Sequence, residues 1–360
     1  MKKQIQFIVA MMMIVPSLSF GNPVDKNWDY EKTKTIKKEF NVSANALLRI
    51  NNKYGNVDVI SWDQNRVEIE VTITVKGNNE SKVIDRLKKI DVNFTNSSSE
   101  VSAKTILDNS SNSWFKSNSN MNYQIDYKIK MPVTNSVNLN NDYGTISLTE
   151  IKGKASINCD YGKIIIGSLY HADNSINIDY TSDSEIDFMN GGTINADYSK
   201  FRVVKAKNIE LNADYTDSVF ENIEELDFSC DYGSLEVNNA NDIDGSGDYL
   251  TMRFGTIYKN LSIEADYGGI KVEKMMKGFE NIRIHSDYAG IKIGLDDDVS
   301  FNFTAKLSYG GFNYDGNDIT YLKKVVKSSS KYYEGFVNKE NSGANIEIST
   351  EYGSVKLYNN

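Results

Sequence analysis

A twelve-fold repeat constrains the fold of this chain more than any other feature of its sequence. Each copy centres on a tyrosine, which is usually preceded by aspartate and followed by glycine or another small residue. From residue 143 to residue 309 the tyrosines recur every 17 to 21 residues. A near-constant period predicts a stack of equivalent short units. The twelve are Tyr54, Tyr143, Tyr161, Tyr180, Tyr198, Tyr215, Tyr232, Tyr249, Tyr267, Tyr288, Tyr309 and Tyr352.

Each unit has the pattern of two short strands around a corner. Around Tyr161, for example, Ile157 and Cys159 precede the corner, and Ile164 and Ile166 follow it. Alternation of period two on both sides of a glycine-rich corner predicts strand, turn and strand. A unit of about 18 residues is too short for a strand–helix crossover. We therefore predict an all-β, single-chain β-solenoid in which each coil stacks on the one before it.

The N-terminal residues have the pattern of an export signal. Lys2 and Lys3 precede an almost wholly apolar stretch from Ile5 to Val15, and small residues follow up to Gly21. This order is typical of a secretory signal peptide, and the apolar run is shorter than the roughly 20 residues of a membrane-spanning helix. We expect an exported protein, either periplasmic or at the cell surface, with no transmembrane segment in the mature chain.

The remaining chain divides into three regions by pattern. Residues 22–135 are predicted to form a β-rich cap with longer strands, such as Arg66–Val75 and Tyr123–Ile129, and one helix at about Glu80–Lys89. Two Asn/Ser-rich stretches in the cap, 95–100 and 109–120, are interpreted as loops or a hairpin tip. Residues 136–317 are the regular repeats. Residues 318–360 hold an irregular insertion followed by a terminal rung.

Composition and charge argue against several functional classes. The net charge is −9 and no basic block occurs, so nucleic acid is not an expected partner. The two histidines, His171 and His285, lie in different units and are interpreted as surface residues. Without a Cys–His cluster, little is left for a zinc site or a Ser-His-Asp triad.

The two cysteines occupy the same slot of the repeat. Cys159 and Cys230 each precede an Asp-Tyr pair, four repeats apart. At about 4.8 Å per stacked strand their separation would be about 19 Å, beyond disulfide reach. We predict two free, buried thiols.

A column of aspartates precedes nine consecutive tyrosines, and alternation predicts that it points outward. One interpretation is a carboxylate ladder that gathers Ca²⁺, which takes six to eight oxygen ligands. The interpretation we favour is an Asx-turn at each corner, because each coil supplies only one carboxylate. We expect nearby lysines, among them Lys271 and Lys292, to offset part of the repulsion. The nine are Asp142, Asp160, Asp179, Asp197, Asp214, Asp231, Asp248, Asp266 and Asp287.

The tyrosine column has two interpretations as well. It could form an aromatic stripe that stacks on sugars, or a ladder that locks the register of the coils, and we favour the ladder. Whether the rings face inward or outward is left open, because the corner breaks the alternation. Repeated, equivalent acids argue against catalysis. The one irregular acidic cluster, Asp296–Asp298, is interpreted as a solvated loop.

With these repeats set out, the chain resembles the putative-adhesin β-solenoid proteins of bacterial envelopes, including the related "head GIN" domain of adhesin-like autotransporters. The resemblance rests on the segment Leu48–Val59 with Trp62-Asp63 behind it, on the Asp-Tyr-Gly rungs and on the closing Tyr352–Leu357. It implies a β-solenoid with an adhesive role and carries over no catalytic residues.

The function expected from the sequence is an exported, non-enzymatic binding or structural surface at the bacterial cell envelope, for a glycan or an envelope protein. The alternative is a periplasmic scaffold or sensor that binds a protein partner through the cap or through Tyr321–Ser342. A polysaccharide-acting enzyme, for which Asp297 would be the residue to test, is a third class. No cofactor is expected apart from the Ca²⁺ weighed above, and the oligomeric state is open.

Overall fold

The computed structural model describes residues 28–108 and 121–359. The predicted signal peptide and the predicted 109–120 loop lie outside these residues. The cap contains β1 (Tyr30–Asn41), β4 (Arg66–Gly77), α1 (Glu80–Lys89), β5 (Ile90–Asn96), β6 (Glu100–Leu107) and β7 (Met121–Pro132). The rungs and the C-terminal end contain β2 (Leu47–Lys53), β3 (Val57–Trp62), β8 (Ser136–Asp142), β9 (Thr145–Ile151), β10 (Ala155–Asp160), β11 (Lys163–Leu169), β12 (Asn174–Asp179), β13 (Ser184–Asp197), β14 (Lys200–Asp248), β15 (Leu250–Asp266), β16 (Gly269–Met275), β17 (Asn281–Asp287), β18 (Gly290–Leu295), β19 (Phe301–Ser308), β20 (Gly311–Asp315), β21 (Ile319–Val326), β22 (Ser330–Val337), β23 (Asn345–Glu351) and β24 (Ser354–Asn359).

The repeats form a two-layered β-solenoid, as predicted. Strands that end just before a tyrosine, such as β10, form one layer, and strands that begin just after it, such as β11, form the other. We call them the pre-tyrosine and post-tyrosine layers. In both layers each strand pairs in parallel and in register with the equivalent strand of the next rung, for example Asp160 with Asp179 and Ile164 with Ile146. Strand β14 includes the corners at Tyr215 and Tyr232, because the hydrogen bonds between rungs continue there.

The core lies between the two layers and contains the apolar columns that the repeat predicts. Ile157 and Cys159 before the corner, and Ile164 and Ile166 after it, are all buried. Cys159 and Cys230 are free and buried, which confirms the prediction of two unpaired thiols. Burial raises the pKa of both thiols to about 12, so they stay protonated at neutral pH.

The N-terminal end is covered by antiparallel strands and by the predicted helix. Strand β7 pairs in parallel with β3 and antiparallel with β4, which pairs in turn with β1. The predicted helix is confirmed as α1; the side chain of Asn79 accepts from Lys82 N at its start, and Val83 is buried. The first rung, formed by β2 and β3, lies within residues 22–135, the range predicted to be the cap. It pairs with β8 and β9 of the next rung.

The C-terminal rung is not at the end of the solenoid, although it is last in sequence. Strand β23 pairs with β17 on one side and with β19 on the other. The segment before it, interpreted as an irregular insertion, forms the antiparallel hairpin β21–β22, and β22 pairs with the far edge of β19. The hairpin thus covers the outer edge of β19. The last rung of the chain lies on the other side of β19, between β19 and β17. In the described ranges no helix is long and apolar enough to cross a membrane.

Candidate binding surface

The twelve repeat tyrosines share an unusual backbone conformation. All have positive φ angles, between 49° for Tyr198 and 65° for Tyr54. This left-handed region is disfavoured for residues with a side chain, and for a bulky one it costs roughly 1–2 kcal/mol. Glycine or asparagine would satisfy the same corner with less strain. The corner geometry alone therefore does not explain why tyrosine stands at every copy.

The tyrosine rings stack on one another in one continuous column. Neighbouring ring centroids are 4.8 to 5.2 Å apart and neighbouring ring planes lie within 10° of parallel. The spacing matches the distance between adjacent strands, so the stack follows the rung repeat. At one end the ring of Tyr54 meets Tyr123 edge-on, and at the other Tyr309 stacks on Tyr352. The rings thus form a stacked ladder, which is the arrangement that the register-locking interpretation requires.

The column faces solvent. Eleven of the twelve side chains are between 43 % and 64 % exposed, and Tyr309 at the end of the stack is the most exposed. This answers the question that alternation left open. Because each internal ring has a tyrosine on both sides, the column presents ring edges and phenol hydroxyls rather than free ring faces. A sugar stacking flat on each ring, as the stripe interpretation requires, does not fit the internal positions.

Backbone hydrogen bonds continue through each corner and hold the tyrosines in place. The N–H of Tyr161 donates to the carbonyl of Asp179 in the next rung at 3.0 Å, and the N–H of Tyr198 donates to Asp214 in the same way. The left-handed turn points each tyrosine N–H along the stack, so the ladder of strand bonds is not interrupted at the corner.

The aspartate column lies beside the tyrosines and points outward, where alternation placed it. Its side chains are half-buried to exposed. Asp231 Oδ1 accepts a hydrogen bond from Asp248 N of the following rung at 2.9 Å, rather than from its own corner. At the first rungs Lys53 pairs with Asp142 at 3.1 Å. Lys271, which we expected to offset this column, instead contacts Glu273.

The electrostatics of the column reflect its stacked carboxylates. Burial raises the pKa of Asp160, and the charges of Asp179 and Asp142 raise it further. The pKa of Asp179 is raised by burial and by Asp197. Within the described part of the chain no group of three or more His, Cys, Asp or Glu side chains could hold a metal ion.

An asparagine ladder runs parallel to both columns, and our sequence analysis did not recognise it. Asn195 donates to Asn177 Oδ1 at 2.7 Å, and Asn212 donates to Asn195 Oδ1 at 3.1 Å. Asn177 bonds to Asn158, and Asn158 to Asn140, in the same way. These residues stand three positions before their tyrosines, so the signal was present in the repeat alignment. In the three rungs after Asn212 the equivalent position holds Ser229, Ser246 and Glu264, so the asparagine ladder ends at Asn212.

The remaining candidate residues stay apart from one another. His171 Nδ1 accepts from Asp173 N at 3.0 Å, and His285 Nδ1 lies 2.6 Å from Ser349 Oγ. Asp296 pairs with Lys274 at 2.9 Å, and its hydrogen bonds to Lys274 and to the backbone lower its pKa. Asp297 and Asp298 are exposed on the same loop. The structure does not bring these groups into one constellation.

A cavity of about 990 Å³ is lined by cap strands β1, β4 and β7 and by post-tyrosine strands β3, β9 and β11. Its floor includes Ile60 and Ile165, which are about half exposed. Its lining carries charges of both signs, and Lys37 lies 2.8 Å from Glu70. This mixture of charges does not select a ligand of either sign.

Comparison with known proteins gives distant structural similarity only. No protein-family model and no curated protein matches the sequence. A putative cell adhesion protein from Clostridium sporogenes is 12 % identical, with 92 % of this chain and 100 % of that chain covered, at a TM-score of 0.20. A putative adhesin from Parabacteroides distasonis is 10 % identical, with 73 % of this chain and 93 % of that chain covered, at a TM-score of 0.29. A putative adhesin from Bacteroides fragilis is 10 % identical, with 91 % of this chain and 97 % of that chain covered, at a TM-score of 0.22.

Proposed function

We propose that this chain is an exported, non-enzymatic binding protein of the bacterial cell envelope, and that its tyrosine column is the contact surface. The observation that carries this proposal is a continuous stack of twelve tyrosines, eleven of them about half exposed, held in a strained backbone conformation. Tyrosine supplies large amphipathic contact area at low entropic cost. Because the rings are already ordered by stacking, a ligand would lose little affinity to side-chain immobilisation.

The shape of the column favours an extended ligand. Equivalent tyrosines repeat at 4.8 to 5.2 Å along one column, with neighbouring rings nearly parallel. A linear glycan offers hydroxyl groups and apolar ring edges at a comparable repeat, and it would meet a row of phenol hydroxyls flanked by the aspartate column. An adhesin-like role at the envelope agrees with what the resemblance of the repeats implies.

The test replaces three central tyrosines without disturbing the corners. Asparagine accepts the left-handed conformation, so Tyr198→Asn/Tyr215→Asn/Tyr232→Asn should keep the fold, as circular dichroism would show. With soluble peptidoglycan strands as the probe, we expect affinity to fall about tenfold or more. The matched control is Tyr170→Asn/Tyr258→Asn, because these tyrosines are 44 % and 43 % exposed but lie outside the column. Equal binding by both variants, or no binding by the unaltered protein, would overturn the proposal.

A second candidate function is recognition of a protein partner at β21. Among the described residues this strand pairs with β22 alone, and its Leu322 and Val326 are 60 % and 55 % exposed. An edge strand with exposed apolar residues can accept an added strand. Trimming Tyr321–Ser342 is a poor test, because it would remove β22 from the edge of β19. The variant Leu322→Ser/Val326→Ser should keep the hairpin. If an envelope protein cross-links to the unaltered protein but not to this variant, the result favours the second candidate function.

A further inference from the structure

A column of basic side chains crosses four successive rungs on the outer surface of the post-tyrosine layer. Arg253 is in register with Lys271, Lys271 with Lys292, and Lys292 with Lys356. All four side chains are exposed. Residues in register on adjacent strands are about 4.8 Å apart, so these like charges repel one another. In a chain of net charge −9 this column is a local reversal of sign.

Neighbouring carboxylates compensate only part of this charge. Lys271 contacts Glu273, and Lys356 lies 3.4 Å from Asp315. Among the residues that the structure describes, no carboxylate lies within ion-pair distance of Arg253 or Lys292. The hydrogen bond to Glu273 raises the pKa of Lys271, while the charge of Arg253 acts in the opposite direction. Positive charge therefore remains available along the column.

Glycines stand beside the column without a structural reason. Gly269 and Gly290 precede Lys271 and Lys292 by two positions, and a Cβ atom added at either would meet open space. Gly311 is in register with Ser354 of the rung that lies between it and Gly290. The nearest atom to a Cβ at Gly311 would be Ser354 Oγ at 3.9 Å. None of the three has a φ in the left-handed region. Gly162 is different, since a Cβ there would lie 2.0 Å from the carbonyl oxygen of Gly144.

The three glycines are the first residues of β16, β18 and β20. Because they carry no side chain, a ligand can approach the backbone closely at these positions. Gly290 and Gly311 form the floor of a groove of about 320 Å³ at the C-terminal end of the layer, together with basic and hydrogen-bonding side chains; Gly269 lies outside this groove. The groove residues outside the core are Gly290, Lys292, Gly311, Asn313, Ser354 and Lys356.

We infer that the basic column binds an acidic linear glycan, whose anionic groups pair with Arg253, Lys271, Lys292 and Lys356. At the C-terminal end of the column, the sugar rings lie over the groove that contains Lys292, Lys356 and the glycine floor. A regular row of ammonium groups fits a polymer that carries carboxylate or sulfate groups at regular intervals. Asn313 and Ser354 add hydrogen-bonding groups for sugar hydroxyls. A glycan fits better than a nucleic acid, because the basic surface is a single short column on an acidic protein. The inference does not rest on the tyrosine column, which is a separate surface.

The first test removes the charge. Isothermal titration calorimetry would measure binding of polygalacturonate and dextran sulfate oligosaccharides, with neutral dextran of equal length for comparison. For Lys271→Gln/Lys292→Gln/Lys356→Gln we expect affinity to fall about tenfold or more. The control Lys200→Gln/Lys205→Gln/Lys207→Gln makes the same change in net charge on exposed lysines of other rungs. Equal loss in both variants, or binding of neutral dextran as tight as that of the acidic probes, would overturn the inference.

The second test fills the floor. Because the space above Gly290 is open, Gly290→Val should keep the unfolding midpoint and still weaken acidic-glycan binding about tenfold. Unchanged binding would show that the backbone is not approached. An oligothymidylate probe of similar charge is included as well. If it binds more tightly than the acidic glycans, the ligand class is wrong. The tyrosine variants leave this groove intact, so failure here and failure of the proposed function would be distinguishable.

Discussion

The ring of Tyr352 stacks on the ring of Tyr288, with 4.8 Å between their centroids, although Tyr309 follows Tyr288 in the sequence repeat. The last rung of the chain is therefore inserted between two rungs that are consecutive in sequence. Tyr352 N donates to Ser308 O on its other side at 2.8 Å. The column stays continuous because the inserted rung has the same corner geometry as its two neighbours.

This rung order predicts which engineered disulfide forms. Ser286 and Thr350 are in register on adjacent strands, and their hydroxyl oxygens are 3.2 Å apart. In a background with Cys159→Ala and Cys230→Ala, Ser286→Cys/Thr350→Cys should cross-link on mild oxidation. Mass spectrometry of the intact protein would detect it. Ser286→Cys/Leu307→Cys should stay reduced; cross-linking of this pair instead would mean that the rungs stack in sequence order.

The left-handed corners predict an unusual order of tolerance at Tyr198. Both Tyr198→Asn and Tyr198→Val lose the two stacked neighbours, so the difference between them isolates the backbone strain. Asparagine accepts a positive φ, whereas a β-branched residue does not. We expect the valine variant to be less stable than the asparagine variant by about 1–2 kcal/mol. Urea unfolding of both variants measures this difference, and equal midpoints would argue that the corner is not strained.

Much of this architecture was predictable from the sequence, because period-two alternation fixes which side chains enter a two-layered core. Ile157 and Ile164 were identified as core residues on this ground, and the helix was found from its own apolar face. The direction of Tyr161 was not predictable, since a left-handed residue interrupts the alternation on which such predictions depend. The position of Tyr352 was not predictable either, because equivalent rungs carry no label of their order. The Asn177–Asn195 ladder was predictable, because asparagine recurs three positions before the tyrosine in these rungs, but it was not predicted.

The raised pKa of Asp160 predicts a dependence of stability on pH. A carboxyl whose pKa is higher in the folded than in the unfolded state contributes stability that is complete below the unfolded value, near 3.9, and is lost as pH rises through the folded value. Asp160→Asn should therefore stabilise the protein at pH 7 and have no effect at pH 3. The gain should stay within about 0.5 kcal/mol because the site is near the surface. Urea unfolding at both pH values tests this.

Asp63→Asn serves as the matched control for that experiment, since Asp63 is exposed in a turn outside the column. It should leave stability unchanged at both pH values. A loss of stability in Asp160→Asn at pH 7 would show that the charged column is favourable, contrary to the expected repulsion.

The aspartate column also predicts the response to Ca²⁺. Each rung supplies one carboxylate, whereas Ca²⁺ takes six to eight oxygen ligands. We expect the same thermal midpoint in excess EDTA and in millimolar Ca²⁺. An ion bound with a Kd a hundredfold below its concentration would add about 2.7 kcal/mol, so a real site would be visible. A rise of several degrees in Ca²⁺ would restore the interpretation of the column as an ion ladder.

The most direct test of the central claim is NMR of protein whose tyrosine rings are labelled with ¹³C, during titration with soluble peptidoglycan strands. If the column is the contact surface, ring signals from Tyr198, Tyr215 and Tyr232 should shift with ligand concentration. Signals from Tyr170 and Tyr258 should not move, because these exposed rings lie off the column. Single tyrosine-to-phenylalanine variants would assign the signals. Ligand-dependent shifts confined to rings outside the column, or no shift at any tyrosine, would contradict the account.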